Sequence, residues 1–256
     1  MQQRQPVLFI GHGDPMNALR DNPFTQSLSA LGRSLDPLPK AILVVSAHWL
    51  TRGTWVADTA QPETIHDFGG FPDELYRVVY APPGSPETAR RVQTLLPEIG
   101  SDPEWGLDHG AWSVLLHLFP RAQIPVFQLS IDYHAPLGRH VEIGKNLAQL
   151  RQDGVLIVGS GNIVHNLQAF FSQPSHKTFP WAVEVDAWVA DRLESGNFDD
   201  LLSLEKAGSS ARLSVPTPDH YIPLLYTLGA SDPGEPLEFT YQEVFSGLSM
   251  RCLKLG

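Results

Sequence analysis

The chain has 256 residues, and its 18 basic against 28 acidic side chains leave a formal net charge of −10. That balance disfavours general nucleic-acid binding and adhesion to anionic membranes, which both draw on clustered Lys and Arg. A hydrophobic fraction of 42% predicts a globular fold, and the single cysteine, Cys252, excludes an internal disulfide and a CxxC zinc site. The N-terminus MQQRQPVLFIGHG lacks a signal-peptide pattern, and no apolar run nears the ~20 residues of a membrane helix, so the expectation is a cytoplasmic protein.

Taken in chain order, apolar runs rich in β-branched residues occur at 7–10 and 41–46. Ser85-Pro86-Glu87 then opens a helix, with Ser85 as N-cap and the apolar stripe Ala89, Val92, Leu95, Leu96 and Ile99. Asp108 reads as the N-cap of a second helix, GAWSVLLHLF. A third strand is expected at 124–129, a helix at about 137–151 with Val141, Leu147 and Leu150 inward, and a fourth strand at 155–158. A helix over 181–193 turns Trp181, Val185, Trp188, Val189 and Leu193 to the core. Thr217-Pro218 can start a last helix ending before Gly229, which Pro223 must kink or delay. In the tail, Leu248, Met250 and Cys252 alternate with Ser249 and Arg251, as in a half-buried antiparallel strand. The four runs are continuous rather than alternating, as in strands covered on both faces. The expected fold is therefore α/β: a single three-layer α/β/α domain over 1–256, with a mostly parallel or mixed central sheet. No composition shift marks a second domain.

The ten histidines carry the functional argument. Three strand candidates each deliver one at or just past the C-terminal end: His12 in GHG, His48 in AHW and His165 in NIVHN. In open α/β sheets ligands bind outside those ends, so parallel neighbours would gather the three into one crevice. His220 in TPDHY, in the expected first helical turn where Asp219 favours the helix dipole, could add a fourth imidazole. His109 follows Asp108, and His66 sits in a Gly-rich loop, TIHDFGGFP, able to cover a site. His117 reads as a satisfied core or rim histidine, and His134, His140 and His176 as solvated. Imidazoles with few acidic neighbours suit zinc, copper, iron or nickel rather than calcium or magnesium. Ligand counting leaves open a zinc hydrolase and an Fe(II) oxygenase.

The strings FIGHGDPMNAL, SAHWLTRG, TIHDFGGFP, LDHGAWSVL, QLSID, GSGNIVHNL and TPDHYIPLLY follow one another in that order. Together they resemble the DODA-type extradiol aromatic ring-opening dioxygenases, in the superfamily of the protocatechuate 4,5-dioxygenase catalytic subunit. The resemblance runs from about residue 7 to the C-terminus. It implies a three-layer α/β fold and a mononuclear metal, Fe(II) in the active enzyme, in a site that Zn(II) can also occupy. It also implies a small aromatic diol and O₂ as substrates. Carried over motif by motif, the metal ligands are His12, His48 and His220. His165 matches an acid/base histidine that titrates near neutrality, and His109 a histidine that steadies O₂ or a substrate oxygen. Asp14 departs from the pattern, which has Ser there, and would serve either as an imidazole's partner or as a turn former. Trp49, Phe68, Phe71, Trp112 and Tyr221 lie near the motif histidines and could stack on a ring or belong to the core. A zinc-dependent hydrolase on the same histidines, or a non-catalytic binding protein, are the alternatives.

Overall fold

The computed structural model describes residues 4–172 and 177–256. His176 lies outside the described residues. In chain order the strands are β1 (Val7–Gly11), β2 (Ala41–Thr51), β3 (Trp55–Ala57), β4 (Gly100–Asp102), β5 (Val126–Asp132), β6 (Val155–Gly161), β7 (Leu237–Tyr241), β8 (Val244–Phe245), β9 (Leu248–Ser249) and β10 (Cys252–Leu255). The α-helices are α1 (Pro23–Ser34), α2 (Asp73–Tyr76), α3 (Pro86–Leu95), α4 (His109–Leu118), α5 (Leu137–Gln152), α6 (Leu167–Ser172), α7 (Pro180–Glu194), α8 (Ala211–Ser214) and α9 (Ile222–Ala230). Among the described residues eight strands form one mixed sheet in the order β4-β3-β5-β2-β6-β1-β10-β7. The centre is parallel: β6 pairs with β2 on one side and β1 on the other, and β2 pairs with β5. β10 runs antiparallel to β1 and carries β7 at the edge. Among the described residues no helix is long and apolar enough to cross a membrane.

The continuous apolar runs have the expected cause. Val7, Phe9, Leu43 and Val45 face one core with α3, α5, α7 and α9, while Leu8, Ile10, Ile42 and Val44 face another with α1 and α4. Both faces of each strand are thus buried, and each such side chain contributes about 1.5–3 kcal/mol.

Four local expectations need correction. The tail does not alternate: Ser249 and Arg251 are buried as well, because Ser249 donates to Asp186 and the Arg251 guanidinium forms a bidentate pair with the same carboxylate. The last helix begins at Ile222, not near Pro218, because Pro223 takes the first turn, where its missing N–H costs nothing. His220 therefore lies in the turn before α9, and Asp219 has another role, described below. His140 is fully buried rather than solvated, with Nδ1 3.1 Å from the Tyr226 hydroxyl. Ser85 precedes α3 as expected, but its hydroxyl pairs with Thr88 Oγ1 at 2.6 Å instead of capping the backbone.

Candidate metal centre

The parallel centre of the sheet brings its C-terminal ends together, and the motif histidines meet there. His12 leaves β1 through Gly13, whose φ of +64° only glycine adopts without strain, and its N–H donates to Gly161 O at 3.0 Å. β2 runs past the expected residue 46 to Thr51, with a register shift between Val45 and Leu50, so His48 sits on the strand itself. The turn carrying His220 rests on the end of β6: its carbonyl accepts from Asn162 N–H at 2.8 Å. A Cβ on Gly161 would lie 2.2 Å from that carbonyl, so only glycine permits the approach. His109 opens α4 directly after Asp108, which caps the helix at Ala111 N–H as expected.

Ligand atoms of His12, His48 and His220 lie within 4.8 Å of one another. The neighbours fix which ring nitrogen is free. The Ser160 hydroxyl donates to Gly110 O at 2.6 Å, so at 2.9 Å it accepts from His12 Nδ1–H. That leaves the His12 Nε2 lone pair facing His48 Nε2, 3.1 Å away. His220 donates its Nδ1–H to the Asp219 carboxylate, which likewise frees its Nε2. Asp67 Oδ2 lies 3.5 Å from His48 Nδ1 and 2.9 Å from His109 Nδ1, and its Oδ1 accepts from the His109 backbone at 2.8 Å. The His165 ring stacks on His220 with centroids 3.5 Å apart and planes 6° apart. All five rings line a cavity of about 260 Å³, whose other walls include Phe68, Phe71, Leu167, Phe170, Phe171 and Leu248.

Electrostatics disfavours the charged form of three of the rings, His12, His48 and His165. Burial first, then the neighbouring imidazoles, holds His12 and His48 well below their ordinary values. Burial and then His220 push His165 down to about 3, against Asp219, so it is neutral at pH 7 rather than titrating near neutrality. Burial alone would raise Asp67 and Asp219, but the hydrogen bonds and charge of His109 and His220 outweigh it and keep both carboxyls below the usual range. Imidazoles that present Nε2 and turn Nδ1 toward Ser160, Asp67 and Asp219 suit a borderline transition-metal ion.

Other expectations separate. Asp14 is the turn former: it caps Met16 N–H at 2.8 Å, and its other hydrogen bond is to Arg20. His66 stays outside the cavity and bonds Val78 O at 3.0 Å. His117 bonds Asn17 O at 2.9 Å, and His134 is exposed, as expected. Phe68 and Phe71 reach the cavity, whereas Trp49 stacks on Trp105, and Trp112 and Tyr221 are core side chains bonded to Ile65 O and Leu201 O. Sequence reasoning missed Asp67, Ser160 and the Phe170–Phe171 wall. Asp67 adjoins His66 in the Gly-rich loop, and a carboxylate beside a motif histidine was the available signal.

Comparison with known proteins agrees with this geometry. The family model "Catalytic LigB subunit of aromatic ring-opening dioxygenase" matches residues 6–246. The "4,5-DOPA dioxygenase extradiol" of Escherichia coli K12 is 46% identical, over 99% of this chain and 95% of its own. The protein of the same description from Beta vulgaris is 38% identical, over 94% and 92%. A crystal structure of an uncharacterized Escherichia coli K12 protein superposes with a TM-score of 0.85 at 41% identity, covering 99% of this chain and 100% of that one. With the family matched over nearly its whole length, the chain belongs to the aromatic ring-opening dioxygenases of the LigB type and is an enzyme of the extradiol class.

Proposed function

We propose that the enzyme opens the ring of a DOPA-like catechol beside the diol, with O₂ as oxidant and Fe(II) held by His12, His48 and His220. The observation that carries this reading is the convergence of three imidazoles within 4.8 Å, two with their Nδ1–H committed to Ser160 and Asp219. When bound, Fe(II) supplies Lewis acidity toward the diol oxygens and redox chemistry toward O₂. Zn(II) suits the same donors but lacks the redox step.

The remaining roles belong to side chains. His165, neutral and stacked on His220, accepts a proton from a catechol hydroxyl and can return it later. His109 keeps its Nδ1 side on Asp67 and so offers Nε2 to a substrate oxygen. The phenylalanine wall pairs with a flat ring and keeps water from the reacting atoms. Residues 12 to 220 meet in one crevice of one sheet, which supports reading 1–256 as one catalytic domain. A cytoplasmic location accords with a reduced, buried Cys252 and an oxidisable metal.

The test is anaerobic loading with Fe(II), then addition of a catechol panel and air. The expected result is one O₂ consumed per ring and the visible absorption of a ring-opened semialdehyde. A fully loaded protein that consumes no O₂ with any catechol would end the proposal.

A further inference from the structure

Among the described residues, Asp14 is the one carboxylate that lines the cavity. Asp14 sits at its lip, with the carboxylate about one quarter exposed. No lysine or arginine lines the cavity among the described residues, and residues 1–3 and 173–176 contain neither. Asp14 Oδ1 accepts from Met16 N–H at 2.8 Å, and Oδ2 from Arg20 Nη2 at 3.2 Å. A carboxylate has about four acceptor positions, so two remain. Arg20 lies outside the cavity and its side chain is 47% exposed, so solvent screens its hold on Asp14. Asp14 also borders an adjoining groove with Tyr241, Glu243 and Phe245, and so forms part of the wall between the two.

A catechol seated on the histidines would direct its ring substituent along the phenylalanine wall toward this lip. We propose that Asp14 makes the enzyme select catechols whose substituent ends in an ammonium over those ending in a carboxylate. The ammonium donates to a free position of the Asp14 carboxylate, a charge-assisted bond, and meets aromatic faces on the way. A carboxylate in the same pose meets a like charge, and no lysine or arginine of the cavity lining offsets it. The inference rests on the catechol reading above and adds the sign of the substituent.

The test uses three catechols of similar shape: 4-(2-aminoethyl)catechol, 4-ethylcatechol and 3-(3,4-dihydroxyphenyl)propanoate. Their binding is measured by calorimetry on the Zn(II)-loaded protein, and kcat and KM on the Fe(II)-loaded protein. The amine is expected to bind at least about fivefold more tightly than the acid. Asp14→Asn, which keeps a capping side chain at this turn, is expected to bring that ratio close to one, through KM rather than kcat. A ratio that is unchanged in Asp14→Asn, or an acid preference that Arg20→Gln abolishes, overturns the assignment. Binding of none of the three defeats the catechol reading itself, whereas equal binding of all three defeats only the role of Asp14.

Discussion

His12 and His140 look alike in isolation. Each is buried, and each keeps Nδ1 beside a hydroxyl, Ser160 at 2.9 Å for one and Tyr226 at 3.1 Å for the other. Their regions differ. His12 stands among four other imidazoles at the carboxyl ends of β1, β2 and β6, whereas His140 sits between α5 and α9 and belongs to no metal-holding group among the described residues. Burial and an anchored Nδ1 do not make a site. Convergence of the second ring nitrogens does, and a parallel sheet supplies it by ending neighbouring strands at one level.

The largest effect should come from breaking that convergence. His220→Ala is expected to abolish stoichiometric metal binding and to cut ring cleavage about a thousandfold or more, with the circular dichroism of the folded protein retained. Metal analysis and O₂ uptake check it, and full metal content in the variant would break the ligand set. His165→Gln should keep the metal and lose roughly 10²–10⁴-fold in kcat, because it takes away the proposed proton acceptor alone. Unimpaired turnover would remove His165 from the chemistry.

Asp67→Asn probes the carboxylate between His48 and His109. It should cost about 10–100-fold in metal affinity or turnover, since an amide cannot serve both imidazole N–H groups as the carboxylate does. A metal titration with paired kcat and KM measurements decides where the loss falls. The smallest effect on activity is expected at His140. His140→Gln should leave turnover within about twofold but flatten the acid limb of stability. Burial pushes His140 down to about 4, so its stabilising share is complete above the ordinary value of 6.5. As pH falls from there toward 4, the unfolded chain takes the proton first, and up to about 3 kcal/mol is lost. Urea unfolding of the metal-free protein at pH 7.5 and 5 should show a greater loss in the parent than in the variant. The crevice imidazoles contribute to both and cancel.

Much of the site was legible because strand-end histidines need only the sheet to bring them together. His12, His48 and His165 are read from apolar runs that stop at a histidine. Other parts depend on choices that the sequence states twice. Pro218 and Pro223 can each open a helix, and packing of the fully buried α9 against the sheet selects the second. The polar flanks of His140 suggest solvent, but it precedes Ile143 by three residues and Leu147 by seven and so shares their buried stripe. Asp67 had only its place beside His66 to mark it, because tertiary contacts with α4 bring its loop to the histidines.

The described residues offer three groups able to hold an ion: His12 with His48 and His220, His48 with Asp67 and His109, and His165 with Asp219 and His220. Anomalous diffraction from crystals of the metal-loaded protein, collected on both sides of the metal's absorption edge, separates them directly. One peak is expected, bonded to Nε2 of His12, His48 and His220. A peak between His48, Asp67 and His109, or beside His165 and Asp219 without His12, would contradict this ligand set.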